Sequence, residues 1–240
     1  MGSKTFLYET YYEQKLNFEI DDDHFKFRID SGKQLIAKWS EIDSIKISRF
    51  GNTLDILVAN FPKTIKIPFV TDEFLVFLEE LTSRIARANK DRIQQMDERF
   101  TVSHLFYLVM TLLLSASGIL LISLLFNFST LAQLEIFPAF VAVLLPSALI
   151  LYGISIPIKA IPQEKKIILK GLVKKNTYDY SKIDSIHFEL LDMKKRGKLL
   201  VVVLNMKTGK KIKIKWLKDL ILFFIVTRTK FDAFLKKSNN

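Results

Sequence analysis

The chain has 240 residues, 49% of them hydrophobic and 25% charged, with a formal net charge of +11 and no cysteine. Without cysteine there are no disulfides, thiolate metal sites, redox pairs or cysteine nucleophiles. The positive charge is uneven: residues 1–103 carry 15 Lys and Arg against 17 Asp and Glu, 104–157 only Glu135, and 158–240 carry 21 against 7. A basic last third of this kind points to lipid headgroups, nucleic acid or an acidic partner, the plain alternative being a well-solvated Lys-rich surface.

In the first hundred residues LYETYYEQKLNFEI (7–20) supplies one or two strands. HFKFRID (24–30), QLIAKW (34–39), SIKISRF (44–50), TLDILVA (53–59) and KTIKIPF (63–69) follow, all rich in β-branched and aromatic residues. DSGK, RFGN and ANFP separate them as turns, the pattern of an antiparallel meander. TDEFLVFLEELTSRIARANK (71–90) then places Phe74, Leu75, Leu78, Leu81 and Ile85 on one face at helical spacing. From Asp72 to Phe126 the only glycine or proline is Gly118. This helix is therefore expected to run on almost continuously through IQQMDERF.

HLFYLVMTLLLSASGILLISLLF (104–126) and IFPAFVAVLLPSALILYGISIPI (136–158) lack acidic residues, Lys and Arg, and each exceeds the ~20 residues that cross a bilayer as a helix. The sequence predicts a transmembrane hairpin closed by NFSTLAQLE (127–135), with the second span bent near Pro146. Lys and Arg flank the outer ends of both runs and are absent from the linker. The positive-inside rule then makes the chain an integral membrane protein of two spans with both termini cytoplasmic.

Beyond the hairpin the pattern returns as KKIILKG (165–171), VKKNTYDY (173–180), KIDSIHFELL (182–191), KLLVVVLNM (198–206) and KKIKIKW (210–216), with a helix from about 217 to 236. WSEIDSIKI (39–47) and YSKIDSIHF (180–188) nearly repeat one another, and IKI at 65–67 matches IKI at 212–214. The longer turn after residue 191 absorbs the change in spacing, as expected of a duplicated meander. In each phrase the aromatic and the isoleucines are expected to face a core while Ser and Asp face out or cap a turn.

Each copy resembles the bacterial pleckstrin-homology-like (PH-like) domains over about 65 residues. Trp39-Ser40-Glu41-Ile42 leading into Ile45, with Ile67-Pro68 before the helix, carries the resemblance in the first copy; Tyr180-Ser181-Lys182-Ile183 and Lys215-Trp216 carry it in the second. The resemblance implies a bent antiparallel sheet capped by a C-terminal helix. The second copy lacks an equivalent of Pro68 and any clear strand before Lys165, so it is either a reduced barrel or one that borrows an edge from its neighbour. The expected fold class is an α+β membrane protein. Two PH-like antiparallel β-barrel or sandwich modules (1–103 and 159–240), each with a C-terminal helix, are separated by a two-helix transmembrane hairpin (104–158).

Catalytic signals are weak. Of three histidines, His24 follows Asp21-Asp22-Asp23, where a cation site competes with a polar turn; His104 opens the first apolar run; His187 stands where the first copy has Lys46. No P-loop and no nucleophile–base–acid set is present. The expected protein is non-enzymatic, with no cofactor and no metal. The expected binding residues are Lys194, Lys195, Arg196 and Lys198 in one turn, Lys207, Lys210 and Lys211 in the next, and Lys213 and Lys215 along the following strand. Together they would engage anionic lipid headgroups at the cytoplasmic membrane surface. PH-like domains of bacteria resemble general interaction modules, so the alternative is a scaffold that binds itself as a homo-oligomer or binds another membrane protein. Nucleic acid is the weakest candidate, since no recognition-helix pattern is present.

Overall fold

Period-two alternation sets the first unit, because apolar residues at every second position line one face of a sheet. In the computed structural model, which describes residues 3–9, 15–29, 34–48, 53–59, 61, 64–68, 73–95, 99–102, 104–126, 147–148, 150, 158–171, 174–192, 198–215 and 217–238, four strands form one antiparallel sheet. These are β1 (Lys4–Glu9), β2 (Lys15–Ile20), β3 (His24–Ile29) and β4 (Gln34–Lys38). A 3-10 turn at Trp39–Glu41 leads into a second sheet of β5 (Ile42–Ser48), β6 (Thr53–Val58) and β7 (Ile65–Pro68). Helix α1 (Glu73–Ala88) follows and buries Phe74, Phe77, Leu78 and Leu81 against the sheets.

The second unit repeats this order: β9 (Lys159–Pro162), β10 (Lys166–Lys170), β11 (Lys175–Asp179), a 3-10 turn at Tyr180–Lys182, then β12 (Ile183–Asp192), β13 (Lys198–Met206) and β14 (Lys211–Ile214). Helix α4 (Leu220–Ser238) closes it. Its missing first strand comes from upstream of the apolar segment: β8 (Phe100–Thr101) pairs with β9 and completes the sheet order β11-β10-β9-β8. Val102 donates to the Ile158 carbonyl at 3.0 Å, Lys218 donates to the Thr101 carbonyl at 2.9 Å, and Val102 bridges to Leu217. The second unit thus borrows an edge, and residues 103–157 lie between its first and second strands. The strand absent from the sequence reading before Lys165 is β9, four residues long and ending in a proline.

Each repeated phrase forms the corner between two sheets. Trp39 is 4% exposed and Tyr180 fully buried. In both copies the β-ladder slips at the same place, between Ile42 and Ser44 and between Ile183 and Ser185. One extra residue, Asp43 or Asp184, is accommodated there as a bulge that bends the strand, and both aspartates are exposed. The isoleucines then face inward: Ile186 pairs with Leu204 over the core, as Ile45 pairs with Ile56.

The two units share one hydrophobic core. Helix α1 packs on β12 of the second unit and α4 packs on β5 of the first, equivalent strands contacted reciprocally. Phe6 meets Phe77 edge-on at 5.3 Å and Phe100 meets Phe223 edge-on at 5.4 Å, one aromatic pair in each unit. Helix α2 (Lys90–Gln95) packs against α4 and ends before β8, so α1 does not continue into residues 104–126 as one rod.

The expected α+β membrane fold is corrected. The chain is built mainly from four small antiparallel sheets, and among the described residues no helix is long and apolar enough to cross a membrane. Helix α3 covers His104–Phe126. The second expected span, 136–158, falls outside the described residues apart from 147, 148, 150 and 158. The assignment as a two-span integral membrane protein with cytoplasmic termini falls with the spans, because its charge argument presupposed them.

Candidate functional site

The basic residues singled out from the sequence do not form one patch. Lys198 opens β13 opposite Asp192, at the β12–β13 end of the sheet. Lys207, Lys210 and Lys211 lie at the other end, beyond Met206. A nine-residue strand separates the two ends by about 27 Å. Lys194, Lys195 and Arg196, in the β12–β13 connection, lie outside the described residues. Lys213 points outward from β14, but its Nζ donates to Glu189 Oε1 at 2.6 Å. The Lys213 ammonium, acting through that hydrogen bond and its charge, holds the Glu189 carboxyl below its ordinary value, aided by Lys211 and His187. Lys215, past the end of β14, is half-buried.

What the fold does assemble is a basic corner. The β13–β14 turn closes through Gly209, whose φ of +82° lies in the left-handed region that favours glycine. Gly209 N–H donates to the Met206 carbonyl at 2.8 Å, leaving Lys207 and Lys210 exposed. Lys207 N–H donates to the Lys182 carbonyl at 2.9 Å, fastening this turn to the 3-10 corner. Tyr180 N–H donates to the Lys165 carbonyl at 2.9 Å, fastening the β9–β10 turn to the same corner. Lys165, Lys166, Lys182, Lys207, Lys210 and Lys211 therefore gather at one end of the second unit. The carboxylates nearby are Glu164, Asp179 and Asp184, and Asp179 reaches Lys182 only at 3.8 Å.

The equivalent corner of the first unit has matching backbone hydrogen bonds and more carboxylates, with Lys26, Lys38 and Arg84 among them. Ala59 N–H donates to the Glu41 carbonyl at 2.7 Å, matching Lys207 and Lys182; Asp21 N–H donates to the His24 carbonyl at 3.1 Å, matching Gln163 and Lys166. Asp21, Asp22, Asp23 and Glu41 occupy this end. Their turn is a polar one: Asp21 Oδ1 accepts from the backbone N–H of Asp23 and His24 at 2.9 and 2.6 Å. Partial burial raises the Asp21 pKa, but those backbone donors and Lys26 outweigh it and the net shift is downward. Asp22 pairs with Arg84, which also donates to Glu80 at 2.9 Å.

A groove of about 790 Å³ runs between α1 and α4. Six basic and three acidic residues line it, with close ion pairs of Lys4 to Glu80 at 2.7 Å and Arg228 to Asp232 at 3.1 Å; the lysines of the basic corner show only the 3.8 Å Lys182–Asp179 ion pair among the described residues, so that corner is the stronger candidate. Lys165, Lys166 and Lys182 were not among the sequence-derived candidates. Lys182 was findable, since it stands in the repeated phrase where the first copy has Glu41. Lys165 and Lys166 join the site only through the fold. No family model matches the chain, and no curated protein matches it.

Proposed function

We propose that the chain is a non-enzymatic binding protein whose second unit engages anionic lipid headgroups through its basic corner. The observation that carries this reading is a difference in charge at a repeated piece of architecture: at the corner of the first unit four acidic residues lie among Lys26, Lys38 and Arg84, which pair with Asp21 and Asp22 in part, whereas at the corner of the second six lysines lie among three carboxylates. A fold-stabilising role would not require an excess of lysine on one copy of the same backbone. Each exposed Lys near an anionic bilayer contributes about 1 kcal/mol, within a screening distance of about 8–10 Å. The order of four strands, corner, three strands and closing helix in each unit supports the resemblance to PH-like domains. On this reading the sequence-derived cluster at Lys194–Lys198 is a separate basic end, and Lys213 is largely answered by Glu189.

The test is binding of the full chain to vesicles of neutral lipid with and without anionic lipid, across a salt series. Binding that needs anionic lipid, weakens with salt and falls at least tenfold in a Lys207→Glu, Lys210→Glu, Lys211→Glu variant is expected. Undiminished binding by that variant would refute the reading.

A further inference from the structure

We propose that a pocket beside the basic corner is a subsite for a phosphate monoester. This deepens the anionic-headgroup reading and rests on it. The pocket, about 260 Å³, opens between the β9–β10 turn and the last turns of α4. Lys165 enters it from the turn, while Lys230 and Lys237, two helical turns apart on one face of α4, enter from the helix. Among the described residues Glu164 is the one carboxylate in the lining, which also includes Phe234 and Ser238.

Two features distinguish this pocket from the open corner. Lys230 is only 7% exposed, and its Nζ donates to the Pro162 carbonyl at 3.2 Å. The pocket thus brings one ammonium out of bulk water, where its field is screened far less than that of a surface lysine. The frame is also fixed: the Lys165 carbonyl is held by Tyr180 N–H, and Phe234 packs on the Tyr180 ring at 5.9 Å. Three lysines against one glutamate leave a formal lining charge of two. A phosphate monoester carries about −1.5 to −2 at neutral pH and offers three acceptor oxygens, so it matches that charge; a phosphodiester, with one charge, matches half of it. Headgroup and free sugar- or glycerol-phosphate share this chemistry, and the volume holds the phosphate with a few attached carbons.

The experiment compares the full chain on vesicles of phosphatidylcholine mixed with phosphatidic acid or with phosphatidylglycerol, at matched surface charge. Glycerol 3-phosphate is titrated calorimetrically alongside. Expected is at least fivefold tighter binding to the monoester vesicles. That preference should vanish in Lys230→Met and in the rim variant Lys165→Ala, Lys237→Ala, with binding to phosphatidylglycerol vesicles kept. The rim variant carries the test if Lys230→Met does not fold. Lys207→Glu, Lys210→Glu should weaken both vesicle types alike. Saturable glycerol 3-phosphate binding that these pocket variants abolish, without vesicle preference, would support the site and identify its ligand as a free phosphate monoester. Equal binding to both vesicle types with no glycerol 3-phosphate binding overturns the subsite while sparing the corner. Binding to neither vesicle type, with no glycerol 3-phosphate binding, overturns both.

Discussion

The two units spend nearly the same backbone on different surfaces. At each corner an aromatic is buried on a 3-10 turn, a bulge follows, and the next hairpin donates one N–H back to the turn; yet Glu41 and Ala59 in the first unit become Lys182 and Lys207 in the second. Buried positions of a duplicated fold are held by packing, since a missing methylene is felt throughout a close-packed interior. Exposed corner positions carry no such constraint. Charge can diverge there at little cost in stability, and that is where the two units have become different objects.

The comparison can be broken most forcefully at its shared core. Trp39→Ala and Tyr180→Ala should each destabilise by about 3–5 kcal/mol in denaturant unfolding; a much smaller loss for one of them would mean the corners are not equivalent. Phe100→Ala should cost about 3 kcal/mol if β8 belongs to the second unit, with hydrogen exchange faster in β9 than in β2. Exposure of β2 instead would detach β8 from that unit.

Corner charge comes next. Giving the second unit the residues of the first, Lys182→Glu with Lys207→Ala, should reduce binding to anionic vesicles about tenfold and leave the unfolding midpoint nearly unchanged. A large drop in stability would show that the lysines serve the fold.

A finer contrast concerns Tyr180, whose hydroxyl is buried and has no hydrogen-bond partner among the described residues. Burial pushes its ionisation well above the ordinary range for tyrosine. Tyr180→Phe should therefore leave stability unchanged or raise it by up to about 1 kcal/mol, bringing this corner closer to the Trp39 one; a clear loss would reveal a polar role for the hydroxyl.

The smallest expected effect is at Glu189. Its folded pKa is lowered by Lys213 from an ordinary 4.5, so its contribution is present above that ordinary value and disappears as pH falls through the lowered one. Both groups of the pair are about one-third exposed, and solvent screening keeps the contribution under about 1 kcal/mol. Glu189→Gln should be slightly less stable than the parent at pH 7 and equal to it at strongly acid pH, with slightly tighter anionic-vesicle binding once Lys213 is released. A stability difference that persists at acid pH would assign the loss to packing.

Much of the fold was legible. The meander, both closing helices and the burial of Trp39 follow from alternation and helical spacing, and the equivalence of Ile65 and Ile67 to Ile212 and Ile214 from the repeat. The short pieces were not legible: β8 has two residues and β9 four, too few for periodicity, and their pairing spans the whole apolar segment. The break between α1 and α2 has no proline or glycine to announce it. Apolar length was read as membrane crossing, a reading the described helices do not carry. For the site, charge density along the chain located lysines but not ends of a sheet, so two turns adjacent in sequence were merged although β13 holds them apart. The more useful signal lay in comparing the copies position by position.

The central claim, that the corner of the second unit and not its equivalent in the first is the binding surface, is tested most directly by hydrogen exchange of the full chain with and without anionic vesicles. Protection at 163–166, 180–182 and 206–211, with no change at 21–24 and 39–41, is the predicted result. Protection confined to 193–198, or appearing at the acidic corner, would contradict it.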